Sequence, residues 1–388
     1  MPELASKKQC TGCTACVNVC PQQCIQMNKW IDGFSYPEIC AAQCVSCGIC
    51  EQVCPVLSVK KESKKLVGLY AAFSINDSLR KESSSGGVFS ELATEILTRG
   101  GIIYGASYNK NGLVEHICVD SVKLLGKLRG AKYSQSWLGN NFQLIKAQLK
   151  SGRQVLFSGT PCQVAGLKSF LQQEYDNLIC IDFVCHGVPS PMVWEKYVKY
   201  RAEIDNNGIV PKYINLRNKE TGWSKYSYST EMVYSNNKRY LCKNSEDPFM
   251  RLFVNDYILR ESCGDCHFKG SSRISDITLG DFWGIWDIDP EMDDNKGTSL
   301  VLTHSEKGED LFNAISCKLR SRKVTLEQAV LMNPSLLQSS VAKTNREDVL
   351  NDILQNDFQS ALQLLQSLKN GKKSLLKRVR NIVNKMLK

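Results

Sequence analysis

The spacing of apolar residues divides the chain into stretches of different structure. Leu66–Ile75 is a continuous apolar run, which predicts a buried strand. A stripe at helical spacing follows, and Ile102–Ala106 then resumes a strand. The stripe consists of Val88, Phe89, Leu92, Ile96 and Leu97. Alternating signals of this kind predict a mixed α/β domain, which we place at residues 66–345, with an N-terminal part at 66–150 and a C-terminal part at 151–345.

The clearest unit of this domain lies between residues 155 and 184. Val155–Phe157 and Leu178–Val184 predict strands, and Val164–Leu171 between them predicts a helix. Strands joined in this way are parallel, and ligands bind beyond their carboxyl ends. Cys162 and Cys185 both fall at that edge, so the topology predicts that they meet there. For either cysteine taken alone, a small buried residue is the alternative.

The chain contains 18 cysteines, and ten of them lie within residues 10–54. They form two runs, Cys10–Pro21 and Cys44–Pro55, with the same spacing C-x2-C-x2-C-x3-C-P. This spacing is typical of two-cluster ferredoxins, in which the fourth cysteine of each run binds the other cluster. It predicts a ferredoxin-like α+β domain at residues 1–60 with two [4Fe-4S] clusters. The predicted ligand sets are Cys10, Cys13, Cys16 and Cys54 for one cluster, and Cys20, Cys44, Cys47 and Cys50 for the other.

Zinc is the main alternative metal, because four thiolates also suit zinc. Zinc ribbons, however, use two separated pairs rather than a repeated quartet followed by proline. Cys24 and Cys40 lie outside the pattern, and we expect them to be small buried residues. A module this short buries little apolar surface, so bound clusters should supply most of its folding energy. The charged stretch Lys60–Lys65 predicts a linker.

A further cysteine pair, Cys263 and Cys266, lies in the second half of the chain. With Cys162 and Cys185 it gives four thiolates, enough for a third [4Fe-4S] cluster. Two alternatives stay open. In one, Cys162 serves catalysis at a cofactor and no third cluster exists. In the other, Cys263–His267 is a c-type haem attachment site, a chemistry that normally follows export.

Two loops have the composition of cofactor-binding loops. Ser83–Gly87 precedes a helix, where serines and glycines expose backbone N–H groups that suit a phosphate. Serines at this position are also ordinary N-caps. Ser275–Gly284 ends a predicted strand in a turn of glycine, acidic and aromatic residues. This turn indicates contact with a cofactor ring or ribose, and an ordinary buried turn is the alternative.

Five blocks, in order between residues 66 and 285, resemble the coenzyme F-420 hydrogenase/dehydrogenase beta-subunit family. They are Ser85–Val88, Lys132–Ser136, Gly159–Leu167, Cys185–Ser190 and Ser275–Gly284. The resemblance implies FAD as the central cofactor, close to a domain cluster, in a mixed α/β flavin-binding domain. It also implies roles for the residues in these blocks. Those expected at the FAD diphosphate are Ser85, Gly86 and Gly87, and those expected near the flavin ring are Ser158, Gly159, Thr160 and Pro161.

The same resemblance implies roles for four further residues. Lys132 is expected to offset the diphosphate charge or to stabilise anionic reduced flavin, and Tyr133 and Asp281 to line the cofactor site. His186 is either a proton donor to the substrate or a structural residue. Family members move electrons between iron–sulfur clusters and a hydride-accepting partner. Some are F-420-using subunits of hydrogenases or formate dehydrogenases, others reduce unrelated small molecules, and many bacterial members resemble proteins of surface-polysaccharide biosynthesis.

We therefore predict an FAD- and [4Fe-4S]-dependent oxidoreductase that passes electrons from ferredoxin, or another low-potential donor, to a small-molecule substrate. The alternative is the electron-transfer beta subunit of a coenzyme F-420-reducing hydrogenase or formate dehydrogenase complex. A cytoplasmic location is expected, since the N-terminus has no apolar signal region and the longest apolar run is about half a membrane span. The net charge of +10 comes without a basic face of stacking aromatics, so no nucleic-acid partner is predicted.

The last segment, residues 346–388, predicts a basic amphipathic helical tail. Apolar residues recur at helical spacing with basic residues between them. They are Leu375, Leu376, Val379, Ile382, Val383, Met386 and Leu387. Such a helix lies on the cytoplasmic face of an anionic membrane, docks on a partner protein or packs against its own protein, and all three alternatives stay open.

Overall fold

The computed structural model describes residues 1–58, 65–356 and 358–367. The strands β1 to β13 are Ile25–Lys29, Ser35–Ile39, Gly68–Ser74, Ile102–Tyr108, Val114–Val119, Val155–Ser158, Leu178–Phe183, Tyr213–Asn218, Ser229–Val233, Arg239–Lys243, Ile277–Asp281, Ser299–Thr303 and Leu319–Lys323. The helices α1 to α12 are Ala15–Val19, Ile49–Gln52, Asp77–Glu82, Val88–Thr98, Asn141–Lys150, Pro161–Leu171, Pro191–Asn206, Pro248–Val254, Ile285–Ile288, Glu306–Ala314, Leu326–Val330 and Arg346–Gln355. Of the predicted linker Lys60–Lys65, residues 60–64 lie outside the described ranges.

An eight-stranded mixed sheet forms the centre of the large domain, in the order β13-β3-β12-β11-β7-β6-β4-β5. Four neighbouring strands, β4, β6, β7 and β11, run parallel, which confirms the predicted β-α-β unit. The other pairings are antiparallel. Strands from residues 66–150 and from residues 151–345 share this sheet. The carboxyl ends of the parallel strands therefore lie at one edge, where the predicted site residues are concentrated.

Helix α6 begins directly at that edge because the sequence supplies strong start signals. The Thr160 side chain accepts a hydrogen bond from the backbone N–H of Gln163, and the Gln163 side chain accepts one from the backbone N–H of Thr160. Pro161 occupies the first helical position, where a missing N–H costs nothing. Cys162 is thereby fixed in the first turn of α6, just beyond the end of β6.

A three-stranded antiparallel sheet, β10-β9-β8, lies outside the central sheet and packs with α7, α8 and α12 around a second core. The helical stretch 358–367 adds Phe358, Ala361 and Leu365 to this core. The first half of the predicted tail thus packs against its own protein. The basic stripe predicted within residues 368–388 lies outside the described residues. Among the helices described, none has the length and apolar character needed to cross a membrane.

The N-terminal module, in which β1 and β2 form an antiparallel hairpin, packs directly on the large domain. Helix α1 lies against α6, and Cys13, Ala15 and Val53 share a hydrophobic cluster with large-domain residues such as Phe142 and Val164. Hydrogen bonds add to this interface: Asn18 Nδ2 donates to the Gly139 carbonyl at 3.0 Å, and Gln143 Nε2 donates to the Asn18 carbonyl at 2.8 Å. The module is therefore held in a defined position relative to α6.

Candidate iron–sulfur centres and cofactor cavity

The eight predicted cluster cysteines of the module line two small cavities, and the partition follows the predicted ligand sets. Cys10, Cys13, Cys16 and Cys54 surround one cavity, which we call the inner set because Cys13 contacts α6. Cys20, Cys44, Cys47 and Cys50 surround the other, which we call the outer set. Each run thus contributes its fourth cysteine to the cavity of the other run, as the spacing predicts.

The inner thiols are crowded together. Burial raises the pKa of the Cys13 thiol to about 12, and the neighbouring Cys10 and Cys54 add to the effect. Four thiols in one small cavity disfavour ionisation unless a cation takes the place of their protons. The donor set therefore suits a metal cluster.

The two cysteines outside the pattern behave differently from each other. Cys24 is buried, as expected, and its Sγ lies 3.5 Å from the Sγ of Cys20, beside the outer set. Cys40 is exposed, so the expectation of burial is wrong for it. It directly follows β2 and precedes a turn at residues 41–43.

The third predicted set also comes together at the sheet edge. Cys162 lies in the first turn of α6, and Cys185 follows β7. Cys263 ends the 3-10 helix Glu261–Cys263, and Cys266 lies in the loop after it, in a segment that contacts this edge at Val188. Burial raises the pKa of the Cys185 thiol to about 12, and the nearby Cys263 and Cys266 contribute. Thr160 Oγ1 lies 3.1 Å from Cys162 Sγ, and the Val188 N–H donates to Cys263 Sγ at 3.4 Å.

In the described part of the chain, no three Cys, His, Asp or Glu side chains converge on a point where they could hold one metal ion. A cubane cluster spreads its four thiolate ligands over four iron atoms, so its ligands need not converge in this way. His267, which formally completes a haem attachment sequence, is exposed.

A cavity of about 870 Å³ opens beside the third set, and its volume lies in the upper range of ligand sites. Cys185 belongs to its wall and to the third set at once. Nine of the predicted site residues line it: Ser85, Gly87, Lys132, Tyr133, Ser158, Gly159, Thr160, His186 and Asp281. Gly86 and Pro161 are not part of the lining. Pro161 starts α6, and Gly86 packs so closely on β3 that a Cβ there would lie 2.5 Å from the Ala72 carbonyl oxygen.

The Ser83–Gly87 loop forms one wall of the cavity, but several of its polar groups already have partners in the protein. The Gly86 N–H donates to Ser299 Oγ at 2.9 Å, and Ser85 Oγ donates to the Thr298 carbonyl at 3.0 Å. Gly87 has φ +86°, a left-handed conformation in which a side chain would be strained. The glycine is thus required by the backbone, whatever binds beside it.

Lys132 is already engaged within the protein. Its ammonium donates to three carbonyl oxygens at the end of a 3-10 helix, those of Leu128 at 3.2 Å, Arg129 at 2.7 Å and Gly130 at 3.0 Å. Burial lowers its pKa to about 7. These contacts tie down the loop that carries Tyr133, so the geometry favours a structural role over the predicted neutralisation of a cofactor charge.

His186 is oriented by a carboxylate that sequence reasoning did not identify. Its Nε2 lies 2.6 Å from Asp256 Oδ1, its Nδ1 lies 3.5 Å from Ser335 Oγ, and its ring meets the ring of Phe253 edge-on. Asp256 adopts φ +65°, which is uncommon for a residue other than glycine. The imidazole is thereby held at the cavity wall, and no motif near residue 186 indicated the distant partner.

Two further cavity residues were missed, Arg217 on β8 and His116 on β5. The guanidinium of Arg217 is buried over the rings of Tyr228 and Trp283. Its Nη2 forms an ion pair with Asp281 Oδ2 at 3.1 Å, and its Nε has no hydrogen-bond acceptor among the described residues. His116 Nε2 bonds the Ser158 carbonyl oxygen at 3.0 Å, and its Nδ1 has no partner in the described structure. Neither residue lies in a recognisable motif, so only the fold brings them to the cavity.

A dicluster module packed on an α/β domain, with further cysteines beside a large cavity, defines an iron–sulfur electron-transfer protein. Residues 9–57 match the model of the 4Fe-4S dicluster domain, and residues 152–328 match the model for the C terminus of the coenzyme F420 hydrogenase/dehydrogenase beta subunit. The chain therefore combines a 4Fe-4S dicluster domain with a segment that matches the C terminus of the coenzyme F420 hydrogenase/dehydrogenase beta subunit.

Among solved structures, the chain is similar to one in the F420-reducing [NiFe] hydrogenase complex from Methanosarcina barkeri. The TM-score is 0.47 and the sequence identity 15%, and the match covers 71% of this chain and 88% of the other. No curated protein matches the sequence.

Proposed function

We propose that this chain is the flavin-binding, electron-transferring beta subunit of a larger oxidoreductase complex. The observation that carries the proposal is the shared wall between the third cysteine set and the large cavity, where Cys185 belongs to both. The family match supports a subunit more than the single-chain reductase of small molecules that we put first from the sequence. Reduction of a small molecule and a part in surface-polysaccharide biosynthesis stay predictions.

The three cysteine sets would hold three [4Fe-4S] clusters, with four thiolate ligands for each. The outer set lies toward solvent, since Cys47 is exposed, and suits an external donor such as ferredoxin. The inner set faces α6, and Cys162 lies one helical turn before Gly166, the residue that Cys13 touches. A rise of about 1.5 Å per residue puts these two α6 positions about 6 Å apart along the helix axis. The inner and third sets are thus neighbours across a single helix.

The cavity would hold FAD. When bound, the clusters supply one-electron carriers, and FAD supplies a centre that exchanges either single electrons or a hydride. Arg217 presents a buried guanidinium whose Nε has no acceptor in the described structure, which suits a phosphate or another anionic group. Tyr133 and Trp283 provide ring surfaces at the wall, and His186, held by Asp256, would deliver or accept a proton there. The expected cofactor residues Ser158, Gly159 and Thr160 line the same cavity, and Thr160 Oγ1 lies 3.1 Å from Cys162 Sγ of the third set.

The first test is the cofactor content of anaerobically purified protein. Three cubanes correspond to about 12 iron and 12 sulfide per chain, and one FAD should be released by mild acid. Replacing Cys263 and Cys266 together with serine should remove about four iron and leave the module clusters in place. Cys317→Ser is the matched control, because Cys317 is exposed and outside all three sets.

Three outcomes contradict parts of the proposal. Wild-type protein with about 8 iron per chain lacks the third cluster. Protein that releases no FAD when expressed with flavin available is not a flavoprotein. Zinc in place of iron overturns the whole assignment. To separate a subunit from a single-chain reductase, the chain is isolated under native conditions from its source. Dependence of turnover on a co-purifying catalytic protein supports the subunit, and full turnover by the chain alone with an artificial donor refutes it.

A further inference from the structure

Arg260 is a buried arginine that touches the inner cysteine set from the large domain. It is 2% exposed, and its guanidinium reaches across the interface into the N-terminal module. Nε donates to the Cys10 carbonyl oxygen at 2.7 Å, and Nη2 donates to Cys10 Sγ at 3.7 Å. Nη2 also donates to the Ser35 carbonyl oxygen at 3.1 Å, and Nη1 donates to Gln135 Oε1 at 2.7 Å. The ring of Tyr36 lies 4.3 Å from the guanidinium carbon.

Among the described residues, this guanidinium has no ion-pair partner. Its hydrogen-bond acceptors are two carbonyl oxygens, an amide oxygen and a sulfur. Of these four, only the sulfur can carry a negative charge, as a thiolate. None of the ion pairs found among residues 1–58, 65–356 and 358–367 includes Arg260. By contrast, the buried Arg80 and Arg217 each have an aspartate within ion-pair distance. A charge buried without a partner is costly, so an anion is expected beside it.

We propose that Arg260 is the counter-charge of the cluster bound by the inner set and that it raises the reduction potential of this cluster above that of the outer cluster. The inference rests on the proposed function, because it requires the clusters to be present. Reduction adds one electron and hence one negative charge to a cluster, and a fixed positive charge hydrogen-bonded to a ligand sulfur stabilises that form. Close to the outer set lies a carboxylate instead: Glu51 Oε2 would lie 3.7 Å from a Cβ at Gly48, the residue after Cys47.

The position of Arg260 explains how one residue serves two parts of the chain. It precedes Cys263 by three residues, and the Cys263 N–H donates to the Arg260 carbonyl at 3.0 Å. The backbone that supplies a ligand of the third set therefore also fixes the charge at the inner set. With the inner potential above the outer one, an electron that enters at the solvent side moves toward the large domain. Arg260 is a positioning residue in this scheme, since it acts through Cys10.

The test is an anaerobic redox titration of the full chain, followed by electron paramagnetic resonance of the reduced clusters. A Cys263→Ser, Cys266→Ser background leaves the two module clusters to be resolved. Arg260→Gln should lower the reduction potential of the inner cluster by at least about 59 mV, which corresponds to a tenfold change in the equilibrium constant of a one-electron couple. The outer potential should stay unchanged. Arg260→Lys retains the charge and should shift the inner potential much less. Gln135→Leu removes a partner of Arg260 but not its charge, and serves as the control.

Each outcome bears on the inference. A full iron content with unchanged potentials in Arg260→Gln overturns it, and so does a Lys variant that shifts as far as the Gln variant. If Arg260→Gln does not retain the inner cluster, the inference is tested by the two reduction potentials of the wild-type protein. An inner-cluster potential below the outer-cluster potential would refute it. Wild-type protein without iron is a different result, which refutes the proposed function itself.

Discussion

Gly166 marks the point where the N-terminal module meets α6, and it allows a sharp test of the interface. An ideal Cβ at this position would lie 2.8 Å from Cys13 Cβ and 2.9 Å from Cys13 Sγ. Apolar atoms pack best at about 3.5–4.0 Å, so Gly166→Ala must push Cys13 away by about 0.7–1 Å. Cys13 cannot rotate out of the way if its sulfur is bound to a cluster.

The energetic balance of this substitution is unfavourable. Overpacking costs about 1–3 kcal/mol, whereas replacing a mid-helix glycine by alanine gains only about 0.5–1 kcal/mol. We therefore expect Gly166→Ala to lower the stability of the docked module by up to about 2.5 kcal/mol, the largest difference between these terms. It should also slow electron transfer between the inner and third clusters, because the gap across α6 widens.

The assay compares iron per chain, urea unfolding and the rate at which the large domain is reduced after the module. Gly126→Ala is the matched control, since an ideal Cβ at Gly126 meets nothing within 4 Å. If Gly166→Ala behaves like Gly126→Ala in all three measurements, the close contact with Cys13 does not constrain the interface and the reasoning is refuted.

Three other predictions concern the cavity. Arg217→Met should lower the FAD released per chain, because the buried N–H donors disappear, and Arg217→Lys should restore part of it; equal FAD in both variants would exclude an anion anchor. Lys132→Met should lower the urea midpoint, because three carbonyl oxygens lose their donor at a cost of about 1–3 kcal/mol in stability. A loss of FAD without a change in stability would favour the charge-neutralising role instead. Burial lowers the pKa of His116 from 6.5 to about 4. Between these pH values the unfolded state therefore binds more protons than the folded state. The contribution of His116 to folding stability is complete above pH 6.5, and up to about 3 kcal/mol of it is lost as the pH falls toward 4. Urea unfolding of His116→Gln across this range should show a smaller decline than wild type, and an identical decline would contradict the assignment.

The sequence by itself determined the features that depend on local spacing. The two cysteine runs predicted which four thiols share a cavity, because the distance between neighbouring ligands is fixed by a few residues of backbone. The β-α-β unit at Val155–Val184 predicted a parallel pair and hence the sheet edge where Cys162 and Cys185 meet. Strand and helix signals in these stretches are strong, since a buried parallel strand requires an unbroken apolar run.

Tertiary structure decided the contacts between residues that are far apart in sequence. Arg260 meets Cys10 across 250 positions, and Asp256 meets His186 across 70. Neither pairing leaves a local pattern, because a polar partner is selected by burial and distance in the folded chain rather than by spacing. For the same reason, sequence reasoning did not predict that Lys132, a motif residue, donates hydrogen bonds to backbone carbonyls. Nor did it predict that Arg217, on a strand without any motif, lines the cavity. Local sequence specified which thiols of the module share a cavity, whereas packing across the whole chain decided which charges lie beside them.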